Sequence, residues 1–347
     1  MKKLAGAILL GIVVIGLSGC TPPMPPELRI SQEEQKFQCV DGQTSISYPE
    51  SISDLSPDLA DSLSSGCPGM SLVLAEKNKK PLIDISSGSG FSCPPFLSVP
   101  YAVDAATIIV NQPDISSLNL DLATASKIFD GIVTMWNAPE IANLNPGSEL
   151  PNVAISVFTD VEIESLSALK TWAADSGSTF NGSLLKPTSK LTVKMADKIK
   201  ENQIAILPYS INTVEGFTTA TIVADPQHLK SLAPAESANI VAASTQWETK
   251  TTKTSVTVSL NSKLKPLAPQ GTDLAPVPYE AIYPVNMALC GTDNLTTRAA
   301  ARFLLRQDSQ GTLGSGNLLG LPSAVRIAAI ALVSTGLPKV KIKVPAN

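Results

Sequence analysis

Lys127-Ile128-Phe129-Asp130-Gly131-Ile132-Val133-Thr134-Met135-Trp136, followed by Pro139-Glu140-Ile141-Ala142-Asn143-Leu144-Asn145-Pro146-Gly147 and Leu150-Pro151, is the stretch on which the fold turns. Just upstream, Asp121 is placed to cap a helix over Leu122 to Phe129, because a side-chain oxygen there accepts from the free amides of the first turn. Asp130-Gly131 ends that helix, since glycine reaches the left-handed conformation that closes a last turn. Before it, Ala105 to Val110 is a compact apolar run of Thr, Ile and Val that reads as a buried strand. After it, Val153 to Phe158 reads as a second strand. A helix from about Val161 to Ala174 follows, with Ile163, Leu166, Leu169 and Ala173 on one face. Strands alternating with helices define an α/β chain.

The same alternation continues outward. Gln203 to Leu207 is expected to be a strand, and Ser255 to Leu260 alternates polar and apolar as a half-buried strand does. Pro266, Pro269, Pro276 and Pro278 mark a linker, and helices are expected over Thr297 to Arg306 and Ser323 to Ser334. Lys339, Lys341 and Lys343 alternate with Val340, Ile342 and Val344, the pattern of a terminal edge strand with a lysine face. At 347 residues, with 44% hydrophobic and 16% charged, the chain is globular and sized for two lobes. Its net charge of -4 argues against nucleic acid as a partner. The single histidine, His228, leaves little room for His-dependent catalysis or a His-rich metal site. With no Cys-His or Ser-His pairing, no P-loop and no zinc spacing, neither an enzyme nor a cofactor is expected. Trp136, Trp172 and Trp247 read as packing residues.

The N-terminus carries an address. Lys2 and Lys3 precede an almost unbroken apolar run from Leu4 to Ile15, too short for a spanning helix and right for a secretory signal over residues 1–19. Its ending, Leu17-Ser18-Gly19-Cys20, resembles the bacterial lipobox. That implies cleavage before Cys20 and a membrane anchor through lipid on its thiol. Thr21-Pro22-Pro23-Met24-Pro25-Pro26 favours an extended stalk over residues 20–27. Four cysteines remain, and an even number in an exported chain suggests two disulfides with three possible connectivities. Cys39 with Cys67 and Cys93 with Cys290 is the pairing expected here, the second tying an early segment to a late one.

From Val99 to Gly336 the order of these segments resembles the phosphate-binding proteins of ABC transporters, within the type II periplasmic-binding-protein fold. The stretch quoted at the outset matches that family's "IF-G-I--W-" and "I--LNPG--LP" words. Ile204 to Val214 with Tyr209 is similar to its "GYV" strand and helix. Ala281-Ile282-Tyr283-Pro284-Val285 is similar to its "YPI" return, and Ala300 to Gly311 to its late helix. The resemblance implies two α/β lobes, each with a central mixed sheet, closing on a solute that an ABC permease receives. The first lobe would take residues 28–109 plus 283–343 and the second 110–278. About seventy residues between stalk and Val99 make the first lobe short.

The ligand positions depart from that family's pattern. Aligning Ile155 and Val157 with its strand puts Asp160 at the family's arginine, Glu162 at its aspartate, and Glu164-Ser165-Leu166-Ser167 at its Ser-Gly-Thr-Thr. Phosphate is held there by free amides at a helix N-terminus, hydroxyls and the arginine. A carboxylate about 4 Å from a phosphate charge opposes it by on the order of 4 kcal/mol at an effective dielectric near 20. These acids read first as helix-end residues, Thr159-x-x-Glu162 fitting a capping box, with a cation site as the alternative. Ser165 and Ser167 are the remaining hydroxyl donors on that side. On the other, Asp84-Ile85-Ser86-Ser87-Gly88-Ser89-Gly90 resembles a family oxyanion loop, giving Ser86, Ser87 and Ser89 as candidate ligands or as an ordinary turn. Gly314-Ser315-Gly316 is open to the same two readings. The expected function is a solute receptor for phosphate or a less anionic ligand. The alternative is a surface module that kept the fold and acts by protein contacts.

Overall fold

The computed structural model describes residues 39–88, 90–189, 191–212, 217–224, 231–268 and 274–338. The signal segment, Cys20, the proline stalk, Ser89, His228 and the Lys339–Lys343 alternation lie outside them. No helix among the described residues is long and apolar enough to cross a membrane.

The chain order is mixed. β1 (Gly42–Ser47), α1 (Ser56–Gly66), β2 (Met70–Leu74), β3 (Ile83–Ser87) and β4 (Pro95–Asn111) come first. β5 (Asn119–Leu120), α2 (Leu122–Phe129), α3 (Pro139–Ala142), β6 (Ser156–Val157), β7 (Asp160–Glu162), α4 (Ile163–Asp175), β8 (Lys186–Thr188), α5 (Val193–Ala196) and β9 (Gln203–Pro208) follow. Then come β10 (Thr218–Thr219), β11 (Thr221–Val223), β12 (Leu232–Ala233), α6 (Ser237–Ser244), β13 (Trp247–Thr251) and β14 (Val256–Leu260). β15 (Ile282–Cys290), α7 (Leu295–Leu304), α8 (Gln307–Gly311) and α9 (Ser323–Val333) complete it.

One sheet runs β2-β1-β3-β15-β4-β9-β6, with β10 beside β4. β1 is parallel to β2 and β3, and β6 is parallel to β9, while β15 and β4 run antiparallel to their neighbours. β4 holds the path together. Its residues up to Ala105 pair with β15, and from Ala106 onward they pair with β9. A second crossing lies alongside, where the buried Tyr279 hydroxyl donates to the Ala106 carbonyl at 2.6 Å and Ala106 N–H donates to Ala281. Seventeen residues of strand, apolar on both faces from Tyr101 to Val110 apart from Asp104 and Thr107, are what a strand covered on both sides requires.

Helix boundaries follow local chemistry. Asp121 accepts from Thr124 N–H at 2.6 Å to start α2, and Gly131 at φ +72° closes its end. Asn294 caps α7 in the same way through Thr297 N–H. Arg298 on α7 donates to the carbonyls of Leu332 and Val333 at 3.2 and 3.3 Å, covering the last turn of α9, and pairs with Asp293. Trp136 and Trp172 are buried in the main core, the latter edge-on to Tyr279 at 5.0 Å, and Trp247 packs with them. Cys39 is bonded to Cys67 and Cys93 to Cys290.

Three expectations need correction. The strand expected over Val153 to Phe158 is only Ser156–Val157, because β6 meets β9 at just two positions. The helix expected from Val161 begins at Ile163, since Asp160 to Glu162 pair with β8 as strand. The capping box from Thr159 therefore does not form: Glu162 is itself the N-cap, and its side chain caps nothing.

Candidate ligand cleft

The cleft is built where the C-terminal ends of β1 and β3 face the start of α4, the place at which open α/β sheets present ligands. A cavity of about 220 Å³ lies there, lined by Ser47, Tyr48, Glu50, Ser86, Ser87, Glu162 and Thr192 among others. Glu162 enters it because alternation along β7 turns Val161 into the core and brings the carboxylate toward β3 and β15.

Glu162 is only 6% exposed, yet it is fully engaged. Ser87 Oγ donates to its Oε1 at 2.6 Å, and the Tyr283 hydroxyl donates to its Oε2 at 3.0 Å. Ser165 Oγ lies 3.2 Å from the same tyrosine oxygen. Having given its one proton to Glu162, Tyr283 accepts from Ser165. The chain of bonds runs from α4 through β15 to β7, and from β3 back to the same carboxylate. Hydroxyls that would suit an oxyanion are thus spent on a side chain of the protein.

Glu164 fills the helix end. Its carboxylate accepts its own backbone N–H and presses on Gly88, whose φ of +68° and missing Cβ leave it room. Its Oε2 is buried without a hydrogen-bond partner. Behind Glu162 sits Asp104, 3% exposed on β4, accepting from Ser210 Oγ at 2.6 Å and from the amides of Ser210 and Ala105. Burial pushes the Glu162 carboxyl up to about 7; the charges of Asp104 and Glu164 add to this, and the bonds from Ser87 and Tyr283 oppose it. Burial likewise raises Asp104 to about 6 against its bonds from Ser210 and Ala105, and it raises Glu164 and Tyr283. Three carboxyls therefore share one enclosed region, and the two whose charges reach Glu162 are both negative.

Among the expected site residues, the structure gathers Ser86, Ser87, Glu162, Glu164 and Ser165. Ser86 lines the cavity while its hydroxyl turns to the Ser87 carbonyl. Ser167 is exposed on α4, two positions and hence a different face from Ser165. Asp160 is half-buried beside Lys186 in the β7–β8 pairing and does not line the cavity. Asp84 serves its own loop, accepting from Ser92 N–H and Oγ. Asp104 and the site role of Tyr283 were missed. A lone acid inside the apolar run from Leu97 to Val110 was the signal for the first. No group of three or more His, Cys, Asp or Glu among the described residues is arranged to hold a metal ion.

Solved structures place this architecture. A phosphate-binding protein from Stenotrophomonas maltophilia is 12% identical with a TM-score of 0.51, over 84% of this chain and 93% of that one. A second structure of phosphate-binding protein from that organism gives 13% and 0.50, over 84% and 94%. The fold is that of the two-lobed phosphate-binding proteins. Sequence similarity is local: Phosphate-binding protein PstS 2 of Mycobacterium tuberculosis is 42% identical over 64 residues, 18% of this chain and 17% of that protein. Phosphate-binding protein PstS 3 of Mycobacterium leprae is 42% identical over 60 residues, 16% of its length. The chain thus matches less than a fifth of the curated relatives' own length. No family model matches the sequence. The relatives and structures named are all phosphate-binding proteins.

Proposed function

We propose that this chain is an extracytoplasmic solute receptor, anchored through lipid on Cys20, that serves an ABC permease and takes a ligand less anionic than phosphate. Its lobes are 28–109 with 283–343, and 110–278, facing each other across the cleft. One observation carries the ligand reading: Ser87 and Tyr283 give their protons to Glu162. A phosphate arriving there meets a carboxylate in place of donors. At about 4 Å and an effective dielectric near 20 that repulsion is on the order of 4 kcal/mol per pair of charges, more than one hydroxyl returns. Neutral or cationic solutes that donate hydrogen bonds suit Glu50, Glu162 and the cavity's serine and threonine oxygens instead.

Thermal denaturation of the full chain in detergent at pH 7.5, against phosphate and a panel of neutral and cationic solutes, tests this. A true ligand at a hundred times its dissociation constant adds about 2.7 kcal/mol of stability. Phosphate is expected to leave the transition in place and at least one hydrogen-bond-donating solute to raise it. Stabilisation by phosphate alone would refute the ligand class, and silence across the whole panel would refute the receptor.

A further inference from the structure

Buried carboxylates are ordinarily neutralised by a cation or by a proton. Among the described residues, the groups that face Glu162 are hydroxyls and acids, while β8 alongside sets Thr188 opposite Glu162 and Lys186 opposite Asp160. β3 supplies Ser87, β15 supplies Tyr283, α4 supplies Ser165 and Glu164, β4 supplies Asp104 held by Ser210, and the cavity adds Tyr48 and Glu50. The contact from Ser87 to Glu162 crosses the cleft itself, joining residues 75 apart in sequence. Glu164 crosses it too, seated against Gly88, while Asn286 Nδ2 donates to the Gly88 carbonyl at 2.8 Å and fixes that loop.

We propose that the cleft of this chain closes on a proton: protonation of Glu162 shuts β3 against the start of α4 around the protein's own side chains, and its ionisation opens them. The proposal rests on the receptor reading only in that the two sides can part. When they part, Glu162 meets water and ionises in the ordinary carboxylate range; when they meet, burial and the negative charges of Asp104 and Glu164 favour its neutral form. The closed form therefore binds the proton more tightly. Closure is complete below the ordinary carboxylate range and is lost as pH rises through about 7. A neutral Glu162 keeps both cross-cleft bonds, since one oxygen still accepts from Ser87 or Tyr283 while the other exchanges roles. In this scheme acid competes with solute for an open cleft.

Pulsed spin-resonance distances on the full chain in detergent, without solute, read the motion. Labels go through azide-bearing residues at the exposed positions of Asp58 on α1 and Lys170 on α4, leaving the cysteines untouched. A short, narrow distance is expected at pH 5.5 and a longer one at pH 8.5, the closed-to-open ratio changing roughly thirtyfold. Glu162→Gln should stay short at both. An unchanged wild-type distance, or a pH response that survives Glu162→Gln, would overturn the proposal. Carbon-13 titration of the wild-type Glu162 carboxyl guards against a variant that does not fold. A midpoint coincident with the distance change supports the proposal, and one in the ordinary carboxylate range overturns it. Because solute is absent throughout, a panel without a ligand would sink the receptor reading and leave these distances as they are.

Discussion

Glu162 shows how one residue can be both well bonded and uncomfortable. Hydrogen bonds from Ser87 and Tyr283 satisfy its oxygens, yet burial and two neighbouring acids keep its carboxyl near 7. Its folded pKa lies above the unfolded one, so the folded state is favoured below the ordinary carboxylate range and loses that stability as pH rises through about 7. Glu162→Gln removes the ionisation. Chemical denaturation should find the variant more stable than the wild type by about 2–3 kcal/mol at pH 8.5, and equal to it near pH 4. A wild-type advantage at pH 8.5 would mean that the carboxylate is better compensated than its neighbours indicate. Sequence reading located this acid at a ligand position but assigned it to a capping box. The pattern Thr159-x-x-Glu162 fits that motif, and nothing local reveals that β8 will capture Asp160 to Glu162 as strand and move the helix start to Ile163.

Elements whose ends are set by neighbours in sequence were the legible ones. α2 begins and ends where Asp121 and Asp130-Gly131 place it, because both signals lie within a turn of the helix. Asp121→Ala should lower stability by about 1 kcal/mol, read as an earlier denaturant midpoint with an unchanged slope. A null effect would mean that packing of Leu122 and Ala125 alone defines that end. β4 was legible only as its apolar half, Ala105 to Val110. Its other half, beginning Pro95-Phe96-Leu97-Ser98, has prolines at 95 and 100 that weaken a strand signal, and its pairing with β15 joins residues nearly two hundred positions apart. Tyr283 was hidden for the same reason: its partners come from β7 and α4, both distant in the chain.

At the scale of the molecule, the two crossings near Ala106 matter more than their size suggests. The 17-residue strand gives its hydrogen bonds first to β15 and then, without interruption, to β9, so neither half of the sheet owns it. A pair of lobes joined by a slack linker would melt separately, each with its own heat-absorption peak. Here the loss of either half strips the other of a central strand, so differential scanning calorimetry should record one peak, its calorimetric and van't Hoff enthalpies agreeing. A lesion placed far from the cleft, such as one that unseats the Arg298 guanidinium from the end of α9, would then unmake the cleft as surely as damage to its lining, while leaving every lining residue intact.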